Sequence, residues 1–183
     1  MSAPQRVPSP ETWARDLGRS LRPFRPATAR WRLALIDGPN MSNLGEGGRD
    51  RRTYGSINSI GELQGTIAAL ADGLGVALSA YQSNREGDIV AYIYDRIEEV
   101  DAFLINPAAL TRYGAPCALA LADSRKQYVE LHFANIATVG WFDGAMITRK
   151  ATGVVMGLRH YSYIGATFGL VCSLDADSLV PRS

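Results

Sequence analysis

Apolar residues along this chain recur in two alternating rhythms. Arg32 to Asp37 (RLALID) is a short apolar run ending at Gly38-Pro39-Asn40, which predicts a buried strand followed by a loop. Ser59 to Leu74 instead sets Ile60, Leu63, Ile67, Leu70 and Leu74 at helical spacing. Ser59 with Glu62 three residues later forms a capping box, and Gly75 ends the helix. The alternation then repeats. Val76 to Gln82 predicts a second strand, and Glu86 to Val100 a second helix with Ile89, Ile93 and Ile97 on one face. Ala102 to Asn106 is a third strand, Cys117 to Ala122 lies in a third helix, and Tyr128 to Phe133 is a fourth strand. Gly153 to Met156 is a fifth strand and Leu158 to Leu174 a closing helix.

Strands alternating with helices imply an α/β protein with a parallel sheet covered on both faces. Right-handed crossovers make it a doubly wound, five-stranded, three-layer architecture, in which ligands bind at the carboxyl ends of the strands. Asn40, Asn84, Asn106 and His132 all fall at or just after such ends. Each alone reads equally well as a polar residue capping a loop, but four in equivalent positions point to a site. The glycine-rich, charged segment from Met41 to Asn58 has no apolar period and predicts a long functional loop. It carries neither the Gly-x-Gly-x-x-Gly spacing nor a phosphate-loop lysine, which argues against a nucleotide or flavin.

Composition narrows the class. The chain has 183 residues, 46% hydrophobic and 20% charged, with net charge +1, as for one soluble domain with no pull toward nucleic acid or membrane. Cys117 and Cys172 lie in apolar stretches without metal or redox spacing and read as buried free thiols of a cytoplasmic protein. The first 30 residues are proline-punctuated and basic, with Thr12 to Leu21 a possible short helix, and read as an extension packed on the domain or on a neighbouring subunit. They lack the apolar core of a secretory signal. Residues 179–183 begin Leu-Val-Pro-Arg and read as a thrombin-type cleavage remnant, which leaves 31–175 as the working domain.

Five blocks then become recognisable. Asp37-Gly38-Pro39-Asn40-Met41-Ser42-Asn43-Leu44-Gly45 with Arg49 and Tyr54-Gly55 resembles the opening of type II 3-dehydroquinate dehydratases. The resemblance continues through Gln82-Ser83-Asn84-x-Glu86-Gly87, Ile105-Asn106-Pro107-Ala108-Ala109-Leu110-Thr111 and Glu130-Leu131-His132-Phe133-Ala134-Asn135. It ends with Ala151-Thr152-Gly153-Val154-Val155-Met156-Gly157-Leu158. The blocks occur in family order over about residues 32–172. The resemblance implies a flavodoxin-like fold, assembly as trimers or dodecamers, no metal or organic cofactor, and dehydration of a small β-hydroxy ketone through an enolate.

By the same resemblance Tyr54 is the general base. A free tyrosine, with a pKa of about 10, is a poor base at neutral pH, and a nearby cation favours its phenolate. Arg49 is the matching arginine, although the loop is two residues longer than usual for the family and Arg51 and Arg52 compete for the role. Asn40 would hold a water that stabilises the enolate, and Asn106 would hold substrate. His132 is the matching acid. Glu130, two residues earlier on a strand, shares its face and would orient the imidazole. Asn84 and Phe133 complete the matched positions on the substrate-binding side. Departures cluster in the set that would recognise substrate. Arg112 stands for a histidine, Ala134 for a serine whose backbone amide could still serve, Asp143 for an arginine, Leu119 for an aspartate that reaches a neighbouring subunit, and Arg85 for a histidine. Arg112, Arg149 and Lys150 could supply anion binding from a new direction. The leading expectation is therefore a dehydratase acting on a β-hydroxy carbonyl compound other than dehydroquinate. A genuine 3-dehydroquinate dehydratase, and a non-catalytic binding protein on the same fold, are the alternatives.

Overall fold

The computed structural model describes residues 8–46, 51–140 and 143–180, apart from the side chains of residues 51 and 139. Five parallel strands form one sheet in the order β2-β1-β3-β4-β5: β1 Arg32–Asp37, β2 Ala77–Gln82, β3 Ala102–Asn106, β4 Gln127–His132 and β5 Gly153–Met156. Helices α3 (Ile60–Leu74) and α7 (Tyr161–Leu179) bury Leu63, Ile67, Leu70, Leu170 and Val171 against Leu33, Leu35, Leu104 and Leu131 on one face. Helices α4 (Glu86–Arg96) and α6 (Ala115–Asp123) bury Ile89, Ile93, Cys117 and Leu121 against Ala34, Ile36, Phe103 and Ile105 on the other. Alternate residues of β1 and β3 thus feed opposite cores, as a sheet covered on both faces requires. This is the flavodoxin-like, three-layer architecture expected.

Details of the local expectations changed. Helix α4 stops at Arg96, short of Val100, and α7 starts at Tyr161 and runs on to Leu179, so Leu179 belongs to the domain's last helix. The Ser59 hydroxyl accepts from the Glu62 N–H at 3.0 Å, but the Glu62 carboxylate reaches back one residue further than a capping box does, to the Asn58 N–H at 2.9 Å. The long loop after β1 contains a 3-10 turn, Met41–Asn43, and a single helical turn, α2 (Arg51–Tyr54). Met41, Leu44 and Ile57 anchor its described parts in the core. Cys172 is only half-buried, unlike Cys117.

The N-terminal extension is built into the domain. Helix α1 (Pro10–Leu21) starts at Ser9, whose hydroxyl accepts from the Thr12 N–H, and lies across α3. The crossing is backbone-close, because a Cβ on Gly73 would lie 2.2 Å from the Arg15 carbonyl oxygen. Beyond it, the Arg25 guanidinium forms two 2.8 Å bonds to Asp175 on α7 and also donates to the carbonyls of Leu74 and Ala29. Trp31 Nε1 donates to the same carboxylate at 2.7 Å. Charges buried this deeply persist only when paired and hydrogen-bonded on all sides, and this pair is.

Candidate active site

The strand order places β1 at the switch point of the sheet. The chain leaves β1 toward β2 on one side and β3 occupies the other, so the loops after β1 and β3 diverge and open a crevice at their carboxyl ends. A cleft of about 310 Å³ lies there. Pro39, Asn40 and Met41 line it from the β1 loop, Asn106, Ala108 and Ala109 from the end of β3, His132, Phe133, Ala134 and Ile136 from the end of β4, and Tyr54 from α2.

Each wall has a local cause. Asn40 adopts a left-handed backbone (φ 67°), which asparagine tolerates better than most residues. Asn84, on the neighbouring loop, accepts the Asn40 N–H at 2.8 Å and donates to the Ser42 hydroxyl at 3.1 Å. Asn84 does not line the cleft; it shapes the turn that presents Asn40. The Tyr54 ring packs on Phe133 at 5.3 Å, and Phe133 packs on Tyr163 at 5.1 Å.

His132 is buried and its Nε2 lies 2.8 Å from Glu130 Oε1. Glu130 is wholly buried and also accepts from the hydroxyls of Thr111 and Thr148. Burial alone would push its carboxyl up. The bonds from His132, Thr111 and Thr148, with the attraction of the imidazolium, outweigh burial and hold it below the ordinary glutamate value. The result is a carboxylate fixed behind an imidazole, which orients the ring.

Asn106 belongs to a second buried network. Its Nδ2 donates to the Tyr163 hydroxyl at 2.7 Å, and that hydroxyl donates to Asp37 Oδ1, also at 2.7 Å. Gln64 Nε2 holds the other Asp37 oxygen at 2.9 Å, and Asn106 Oδ1 accepts from the Ala108 N–H. Burial, only partly offset by Gln64 and Tyr163, raises the Asp37 carboxyl to about 6. Burial and the neighbouring Asp37 charge push the Tyr163 hydroxyl well above its ordinary value.

Of the residues expected from sequence, the cleft collects Asn40, Tyr54, Asn106, His132, Phe133 and Ala134, with Glu130 immediately behind. Arg49 lies outside the described residues. Arg112 does not line the cleft: it is exposed, with its guanidinium 6.0 Å from the Tyr113 ring centre. Asp143 is exposed and also absent from the lining. Sequence reasoning missed Thr111 and Thr148 as partners of Glu130, and Asp37 and Tyr163 as supports of Asn106. Thr111 and Asp37 sat inside recognised blocks. Thr148 and Tyr163 carried no signal, because a hydroxyl that meets a site residue only in space leaves no spacing to read.

Comparison with known proteins shows the family. Residues 31–171 match the family described as dehydroquinase class II. A 3-dehydroquinate dehydratase of Prochlorococcus marinus is 34% identical over 140 residues, 76% of this chain and 94% of the relative. A catabolic 3-dehydroquinase of Aspergillus clavatus is 36% identical over 132 residues, 72% and 86% of the two chains. Among solved structures, the type II dehydroquinase of Butyrivibrio crossotus superposes with a TM-score of 0.71 at 28% identity, covering 77% of this chain and 97% of that one. Relatives of this kind, on a parallel sheet with a cleft at its switch point, place the chain among carbon–oxygen lyases of the dehydratase type. The chain belongs to the class II dehydroquinase family.

Proposed function

We propose that this protein dehydrates 3-dehydroquinate, with Tyr54 as base and His132 as acid. The observation that carries the reading is the convergence of Tyr54, Asn106 and His132 on one cleft, with Glu130 buried behind the imidazole. Tyr54, as phenolate, takes the proton next to the ketone, and the electron pair moves onto the carbonyl oxygen as an enolate. Asn40, and a water it holds, stabilises that oxygen. The enolate then collapses, the carbon–oxygen bond to the β-hydroxyl breaks, and His132 protonates the departing oxygen so that water leaves. Since Nε2 faces Glu130, Nδ1 is the nitrogen placed to give that proton. Asn106 holds substrate, and the Ala134 amide contributes to carboxylate binding. The cation that activates Tyr54 is assigned to Arg49, and no metal or organic cofactor is required.

The named relatives support dehydroquinate as substrate. A second reading, another small β-hydroxy carbonyl compound, is favoured by the alanine at 134 in the cleft wall and by Arg112 and Asp143 outside it. Assembly as trimers or dodecamers belongs to the same proposal, with the exposed Tyr113 and Leu119 as apolar surface for a neighbour, and light scattering would read the mass directly.

The test is to incubate the purified protein with 3-dehydroquinate and follow conjugated enone absorbance. Wild type should turn over, and Tyr54→Phe should lose roughly 10²-fold or more of the rate with its melting temperature kept. Turnover only of another β-hydroxy ketone would move the assignment to the second reading. Full activity in Tyr54→Phe would show that the base is assigned wrongly.

A further inference from the structure

Helix α2 is one turn of four residues, too short to hold itself by helical cooperativity. Its position therefore depends on what it touches. The connection from β5 to α7 supplies one contact to the turn itself, one to the residue after it and one to the residue on which Tyr54 packs. Arg159 Nε donates at 2.9 Å to the carbonyl of Arg52, within that turn. A cation at a helix carboxyl end is also electrostatically favoured. The Arg159 N–H donates at 3.0 Å to the carbonyl of Phe133, the residue on which the Tyr54 ring packs. His160 closes against Gly55, where a Cβ would lie 2.5 Å from its Nδ1. Behind it, Tyr161 packs at a tilt on His160 at 4.1 Å and Trp13 of α1 meets Tyr161 edge-on at 6.4 Å.

Arg159 also has a left-handed backbone (φ 59°), unfavourable for a long side chain. Glycine would fit that conformation without strain, so arginine here needs a reason in its side chain. We propose that Arg159 is a positioning residue, latching the turn that carries Tyr54 to the strand end that carries His132 and Phe133. The inference rests on the reading of Tyr54 as base. The latch fixes the distance between base and acid although Arg159 does not line the cleft.

Arg159→Asn tests it, since asparagine tolerates the left-handed backbone but is too short to reach Arg52. Arg159→Lys keeps a cationic donor of nearly the same length. The expected result for Arg159→Asn is an unchanged melting temperature, faster amide hydrogen exchange over residues 51–55, and a kcat lower by roughly 10- to 100-fold with little change in KM. Arg159→Lys should recover part of both the protection and kcat. Unchanged exchange over 51–55 in Arg159→Asn would overturn the latch whatever the substrate proves to be. Faster exchange with a wild-type kcat on a confirmed substrate would overturn the positioning role. Wild type inactive on 3-dehydroquinate would overturn the substrate assignment alone, because the exchange measurement needs no substrate.

Discussion

Asp37 sits wholly buried beneath the cleft, one oxygen hydrogen-bonded by Tyr163 and the other by Gln64. Its raised pKa is a statement about stability. Well below its unfolded pKa of 3.8 the carboxyl is protonated in both folded and unfolded chains and changes nothing. As pH rises toward 6 the unfolded chain ionises first, so stability falls, and above that the penalty is constant. A shift from 3.8 to about 6 corresponds to about 2–3 kcal/mol. Asp37→Asn can still accept from Tyr163 and, with the Gln64 amide turned over, donate to it. Urea unfolding should therefore show the variant gaining on wild type between pH 4 and pH 7, while a difference that stays constant across that range would contradict the burial argument. Glu130 has the opposite sign. Its depressed pKa stabilises the fold above the ordinary glutamate range, and that contribution is lost as pH falls through its folded value. Glu130→Gln should flatten this acid limb and slow turnover roughly tenfold or more, because a neutral amide holds the imidazole in place less firmly than a carboxylate does. A wild-type pH–rate profile in that variant would remove Glu130 from the account.

Among the elements, α1 shows what periodicity does and does not disclose. Its existence was legible from Thr12 to Leu21, but its partner was not, because a helix stripe names no surface. The partner is α3, and the reason is glycine: Gly18 and Gly73 bring two backbones within contact distance. Gly73→Ala should force the helices apart and cost about 1–3 kcal/mol, read as a fall in melting temperature. An unchanged melting temperature would mean that α1 is dispensable to the domain. The strands and their order of appearance were readable because each apolar run ends at a turn signal. Boundaries of α4 and α7 were not, since Ile97 and Leu158 continue the apolar pattern past the helix ends. In the site, Glu130 and His132 were readable as a pair because two-residue spacing on a strand dictates a shared face. Asn84 was misplaced, because a polar residue after a strand end can serve a loop as well as a ligand, and only the bond to the Asn40 N–H separates the two.

For the whole molecule, the switch point of the sheet brings three strand ends and one loop turn together, and the chemistry follows from that meeting. The chain of contacts from Trp13 through Tyr161 and His160 to Gly55 extends the site's support to the N-terminal extension. No helix among the described residues is long and apolar enough to cross a membrane, and no group of three or more potential metal-ligating side chains is found among them. In the mechanism proposed above, the first step is proton abstraction by Tyr54. That step can be watched alone, with 3-dehydroquinate deuterated at the carbon next to the ketone and the label followed into water. Wild type should release the label together with the enone, His132→Ala should still release label while enone formation slows more, and Tyr54→Phe should retain the label. Release from Tyr54→Phe at the wild-type rate would contradict the assignment of the base and, with it, the mechanism built on this cleft.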